Sequence, residues 1–176
     1  MTLRNPGATA SSRTDLETRA SADDHQDLRL WLRVMTVHKL IAGELRRRLR
    51  ASFDMSFARF DLMAQLERSP SGIRMGELSS RLMVTTGNIT SLTDELEADG
   101  LVERMVDPRN RRAFLVRLTQ KGRKAFQTAA KAHEAWVAEL LGGLSSREKK
   151  LLFNLLAKQK AFLAGQIPGP APKQLS

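Results

Sequence analysis

Between positions 85 and 91 the chain reads Thr-Thr-Gly-Asn-Ile-Thr-Ser. Thr85, Thr86, Asn88, Thr90 and Ser91 are short hydrogen-bonding side chains, and Gly87 leaves its backbone open to close approach. At the start of a helix, such residues suit base edges in a DNA major groove, where a bulky side chain would hold the helix away. The amides of a helix start can also hold a phosphate. Asn88 is the candidate for an adenine edge, since its amide donates and accepts together. A second group follows in Asp107-Pro-Arg-Asn-Arg-Arg, where Arg109, Arg111 and Arg112 suit a narrow minor groove or its phosphates. Asp107 is expected to pair with one of these arginines and shape the turn. Taken singly, each group has an ordinary explanation, because Thr and Ser commonly cap helices and Arg-rich turns are commonly just soluble.

The elements around these groups decide whether they can act together. Leu28, Trp31, Leu32, Met35, His38, Ile41, Leu45 and Leu49 recur at helical spacing and mark one face of a long helix. Ser56 is placed to cap a second helix carrying Phe57, Phe60, Leu62, Met63 and Leu66, and Ser69-Pro-Ser-Gly ends it. Ile73-Arg74 is a stub of strand, and a short third helix runs from Met75 to Met83. Thr85 caps a fourth, from Asn88 to about Asp99, with Ile89, Leu92 and Leu96 inward and Gly100 turning the chain. The period then changes. Residues 101–106 and 113–118 are strand-like and flank the polar turn, giving a β-hairpin with a basic tip. Thr119 starts a fifth helix bearing Phe126, His133, Trp136 and Leu140. Gly142-Gly143 breaks it, and the box Ser145-Ser-Arg-Glu148 opens a sixth to about Ala164.

Composition narrows the classes of function. Lys and Arg total 29 against 19 Asp and Glu, a net charge of +10, which calls for a polyanionic partner. Residues 101–124 hold Arg104, Arg109, Arg111, Arg112, Arg117, Lys121, Arg123 and Lys124 against only Glu103 and Asp107. With no cysteine, disulfides and thiolate metal sites are excluded. His25, His38 and His133 are scattered, and His133-Glu134 lacks the second histidine of a zinc-protease helix. No Gly-rich phosphate loop follows a strand. No enzyme, cofactor or metal is expected, and the absence of a long apolar run points to a cytoplasmic protein with no membrane partner.

Two short helices, the second opening in small polar residues and followed at once by an arginine-tipped hairpin, form a winged helix-turn-helix. The expected fold is mainly α with a small β-hairpin wing. Residues 1–26 form a disordered or partly helical arm, 27–164 the folded domain and 165–176 a disordered tail. Within the domain, 55–118 is the DNA-binding core, and 27–51 with 119–164 supply dimerisation helices.

The stretches Met75-Gly-Glu-Leu-Ser-Ser-Arg-Leu-Met-Val-Thr-Thr-Gly-Asn-Ile-Thr, Leu96-Glu-Ala-Asp-Gly-Leu-Val-Glu-Arg, Asp107-Pro-Arg-Asn-Arg-Arg and Leu118-Thr-Gln-Lys-Gly resemble the MarR family of bacterial regulators. The resemblance runs from about Asp27 to Ala164. It departs at Asn110, where the family often has a second Asp, so that a possible ion pair within the wing is lost. The resemblance implies a homodimer with interlocked terminal helices, acting as a repressor on a pseudo-palindromic operator. A two-fold dimer would read half-sites about 34–36 Å apart. It also implies a pocket for a small effector, for which Trp31, Arg33, Met35, His38, Arg59, Phe60 and Met63 are lining candidates. Leu30-Trp-Leu-Arg-Val and Arg59-Phe-Asp-Leu-Met-Ala-Gln-Leu-Glu-Arg are similar to a subgroup responding to aromatic carboxylates or their CoA thioesters. Two rival functions remain open on the residues alone: a nonspecific architectural DNA binder and a winged-helix protein-interaction module.

Overall fold

A computed structural model describes residues 25–166, less the side chains of Thr86, Arg111 and Arg112. The expected arm at 1–26 therefore falls outside the described residues except for its last two positions. The expected tail at 165–176 does so except for its first two, which are helical. The chain divides into two compact units at Asp61/Leu62.

The first unit is dominated by α1 (Gln26–Phe53). Asp54 stops it in the left-handed region, where its amide bonds back to Arg50 and Leu49. Ala42, Leu45 and Leu49 are buried, whereas Leu28, Leu30, Trp31, Val34, Val37 and Leu40 are exposed. Glu44 binds Arg47 at 2.7 Å and Arg48 at 2.7 Å, which lowers its pKa to about 2. Helix α2 (Phe57–Glu67) begins here and crosses into the second unit; Ser56 Oγ accepts the Arg59 N–H at 3.2 Å, as its sequence position predicts.

In the second unit the elements are β1 (Ile73–Arg74), α3 (Met75–Leu82), α4 (Thr86–Ala98), β2 (Val102–Asp107), β3 (Asn110–Leu118), α5 (Gln120–Leu140) and α6 (Ser146–Gln166). The stub at Ile73-Arg74 is a true strand. It pairs antiparallel with Val116 and Leu115, making a three-stranded sheet ordered β1-β3-β2. Leu78, Ile89, Leu96, Val102 and Val116 are completely or almost completely buried between the short helices and the sheet. The polar turn is shorter than the sequence suggests. Only Pro108 and Arg109 lie outside the strands, because Asn110 already pairs with Asp107 across an irregular rung.

Gly100 takes φ +69 and turns the chain from α4 into β2, the role its position predicts. Gly122 has a different necessity: a Cβ there would overlap the carbonyl of Leu101. Thr119 caps α5 by accepting the Gly122 N–H at 3.0 Å. The Ser145 box also forms, with Ser145 N–H donating to Glu148 at 2.8 Å and Glu148 N–H to Ser145 Oγ at 3.4 Å. No residue of α6 is buried, and Leu151, Phe153, Leu155 and Phe162 are more than half exposed.

Candidate nucleic-acid interface

Helix α4 is built to show one end. Thr85 holds an extended backbone, and its Oγ1 accepts the Asn88 N–H at 3.4 Å, so the helix starts at Thr86, two residues earlier than its sequence pattern suggests. Ile89, Thr93 and Leu96 are completely buried and fix which face turns inward. Thr93 satisfies its hydroxyl by donating to the Ile89 carbonyl at 2.7 Å. Thr85, Gly87, Asn88, Thr90 and Ser91 are all exposed. The turn from α3 is closed by two bonds, Val84 N–H to the Ser79 carbonyl at 3.2 Å and Ser79 Oγ to the Val84 carbonyl at 2.6 Å.

The hairpin is fastened to this motif at two points. On β2, Arg104 donates its backbone N–H to Glu97 at 3.2 Å, and its guanidinium reaches both Glu97 and Asp94. The bond to Asp94 is the main cause of a raised Arg104 pKa, so the clamp remains charged. Nearer the tip, Asp107 is buried and accepts from Arg74 at 2.8 and 2.5 Å. Its other oxygen takes the Arg109 N–H at 2.8 Å. That amide, followed by the Arg74 guanidinium, depresses the Asp107 pKa.

The expected pairing of Asp107 with an arginine of the tip is therefore corrected: its side-chain partner is Arg74 on β1, and Arg109 gives only its backbone. The Arg109 side chain is left exposed at the tip. The side chains of Thr86, Arg111 and Arg112 lie outside the described residues. The expected concentration of positive charge is also partly consumed inside the fold. Arg104 is clamped, Arg117 pairs with Glu103 at 2.7 Å, Arg123 with Glu67 at 2.9 Å, and Lys121 bonds the Asp99 carbonyl at 2.7 Å. Sequence reasoning missed Arg74 and Arg104 as positioning residues. Only the segment Leu96–Arg104 carried a signal, because Glu97 and Arg104 both belong to it.

The proposed effector residues divide by exposure. Trp31, Arg33 and His38 are exposed and Met35 is half-buried, but Phe60 and Met63 are buried. On α1, Trp31, Met35 and His38 share a face at three- and four-residue spacing, whereas Arg33 lies on the opposite side. A cavity of about 260 Å³ beside the start of α1 includes Arg33 with Gln26, Asp27, Arg29 and Leu30. Arg59 is half-buried. Among the described residues no three His, Asp or Glu side chains could hold a metal, and no helix is long and apolar enough to cross a membrane.

Two helices joined by a tight turn, with a three-stranded sheet whose hairpin projects beside them, define a winged helix-turn-helix. The MarR family profile matches residues 55–114, and the chain belongs to that family. It is 29% identical over 106 residues to an uncharacterized HTH-type transcriptional regulator, YdgJ of Bacillus subtilis, covering 60% of this chain and 64% of that protein. A solved MarR family regulator from Silicibacter pomeroyi is 35% identical, with a TM-score of 0.66, over 83% of this chain and all of that one. A cysteine-to-serine variant of E. coli MarR, solved with operator DNA, is 26% identical at a TM-score of 0.66, covering 78% of this chain and 98% of that one. The chain spans 64%, 55% and 60% of the lengths of three curated relatives it matches.

Proposed function

We infer that this chain is a DNA-binding transcriptional regulator, a homodimeric repressor that reads a pseudo-palindromic operator and is released by a small effector. The observation that carries the reading is the exposed polar start of α4, with Thr85, Gly87, Asn88, Thr90 and Ser91 open beside a hairpin that ends in exposed Arg109. In this reading α4 enters the major groove and the wing, with Arg109, Arg111 and Arg112, follows the adjacent minor groove or its phosphates. The operator complex of E. coli MarR supports the choice of partner.

Dimerisation is the role assigned to residues 27–51 and 119–164, with 55–118 as the DNA-binding core. Apolar side chains left open on α1 and α6 support it, since contiguous apolar surface of that kind is costly in a monomer. The effector is an aromatic carboxylate or its CoA thioester, with Trp31, Arg33, Met35, His38 and Arg59 the residues open enough to meet it. The regulator works in the cytoplasm, without catalysis or cofactor.

The test compares a palindromic promoter fragment with a scrambled duplex at several salt concentrations. Preference for the palindrome, with affinity falling steeply as salt rises, is expected. Equal affinity for both fragments would instead make the protein an architectural binder. Sedimentation of the free protein tests the dimer, and a thermal-shift screen of aromatic acids and their CoA thioesters tests the effector class.

A further inference from the structure

Val106 and Phe114 face each other across β2 and β3, and each is half exposed, at 50% and 51%. They lie on the inner face of the hairpin. Alternation along the strands puts Val102, Arg104 and Val106 on one side of β2, and Leu118, Val116 and Phe114 opposite them on β3. Val102, Val116 and Leu118 on that same side are buried in the core. On β3 the apolar row Leu118, Val116 and Phe114 thus continues outward past the end of the core and becomes bare at its last rung, opposite Val106. The pair is the large apolar group in a hairpin end that otherwise carries Asp107, Pro108, Arg109, Asn110, Arg111 and Arg112.

The direction of β2 shows what this rung faces. Arg104 bonds Glu97 through its backbone and reaches Asp94, one turn earlier on α4, with its guanidinium. That side of β2 therefore turns toward α4, and Val106 is its next residue outward. The pair thus lies on the α4-facing side of the hairpin, one same-side rung beyond Arg104 and beside the rung that closes the turn carrying exposed Arg109. No acidic group is left uncompensated at the tip, since Asp107 is held by Arg74.

We propose that Val106 and Phe114 form an apolar contact with the deoxyribose wall of the DNA strand that runs between α4 and the wing. The inference rests on the DNA-binding reading above and names a contact that none of the candidate DNA residues supplies. Deoxyribose is the apolar component of the backbone and is the same at every position, so the pair adds affinity without base preference and without displacing counterions. Arg109 acts in the opposite way, through phosphate and salt.

The experiment uses the full chain, a duplex that the chain itself enriches from a random-sequence pool, and a random duplex of equal length. Phe114→Ala should weaken both duplexes by about tenfold, in line with the loss of a buried aromatic contact. The dependence of log affinity on log salt should keep its wild-type slope. Phe114→Leu should recover most of the loss, and Val106→Ser on the opposite strand should reproduce part of it. Arg109→Ala should instead flatten the slope. Unchanged affinity in Phe114→Ala would overturn the proposal. A flattened slope in that variant would do so too, since the loss would then come through displaced arginines. Wild-type protein that binds no duplex would overturn the DNA-binding reading itself, and this contact with it.

Discussion

Arg74 reaches across 33 positions of sequence to place two guanidinium nitrogens on one oxygen of Asp107, at 2.8 and 2.5 Å. Arg74 is the residue directly before α3, and Asp107 is the residue directly before the hairpin turn. One ion pair therefore ties the tip of the wing to the root of the helix-turn-helix. It is half open to water on the arginine side only, at 50% against 5% for the aspartate.

Arg74→Ala should leave the sheet folded but loosen its tip. Amide protons of Val106, Asp107, Arg109 and Asn110 should exchange faster than in the wild type, while those of α4 keep their protection. If Arg109 contacts phosphate, DNA affinity should fall together with its salt slope, because the arginine would lose its fixed position at the tip. Unchanged exchange at the tip would show that the Arg109 amide alone holds Asp107.

Gly122 gives a prediction whose sign opposes helix propensity. In an exposed helix interior, Gly→Ala stabilises by close to 1 kcal/mol. Gly122 is buried, and a Cβ there would overlap the Leu101 carbonyl. Gly122→Ala should accordingly destabilise the chain by about 1–3 kcal/mol through overpacking. Urea unfolding measures it, and a rise in the midpoint would refute the close approach of α5 to the start of β2.

Acid should weaken α1 through Glu44. Its carboxylate is held by Arg47 and Arg48, which lowers its folded-state pKa from 4.5 to about 2. A depressed acid stabilises the fold fully above its unfolded pKa, and the contribution disappears as pH falls through the folded value. The stability difference between wild type and Glu44→Gln should thus be constant down to pH 5 or so, then shrink towards pH 2. Glu44, Arg47 and Arg48 are all accessible to water, so the effect should also diminish in high salt. A difference that grew on acidification would reverse the assignment.

How much of this was legible in the sequence depended on distance along the chain. Thr85, Gly100, Thr119 and the Ser145–Glu148 box act on amides or turns a few residues away, and their types alone announce the role. The Arg74–Asp107 pair was not legible, since the choice between Arg74, Arg109, Arg111 and Arg112 as partner is made by strand pairing. In the sequence Arg104, Arg117 and Arg123 add to the charge available for a partner, although folding spends them on Asp94, Glu97, Glu103 and Glu67. The stripe on α1 had a different ambiguity. Periodicity reports which residues share a face but not what covers it, and Leu28 and Trp31 on that face are exposed in the single chain.

Asn88 allows base reading to be separated from helix stability. Its backbone N–H makes the bond to Thr85 Oγ1, while its side chain is exposed. Asn88→Ala keeps the cap, so thermal stability should stay near wild type. If the amide reads a base edge, the same variant should lose about 1–3 kcal/mol on the preferred duplex and little on random DNA. Thr85→Ala removes the cap itself and should cost about 1 kcal/mol of stability, lowering affinity for both duplexes. Thr85 caps α4 and Asn88 lies in its first turn, and both are exposed, so a general disturbance of the helix start would affect the two variants alike. Retained discrimination in Asn88→Ala, measured by competition between the two duplexes at fixed salt, would remove Asn88 from the candidate base readers and leave Thr85, Thr86, Thr90 and Ser91.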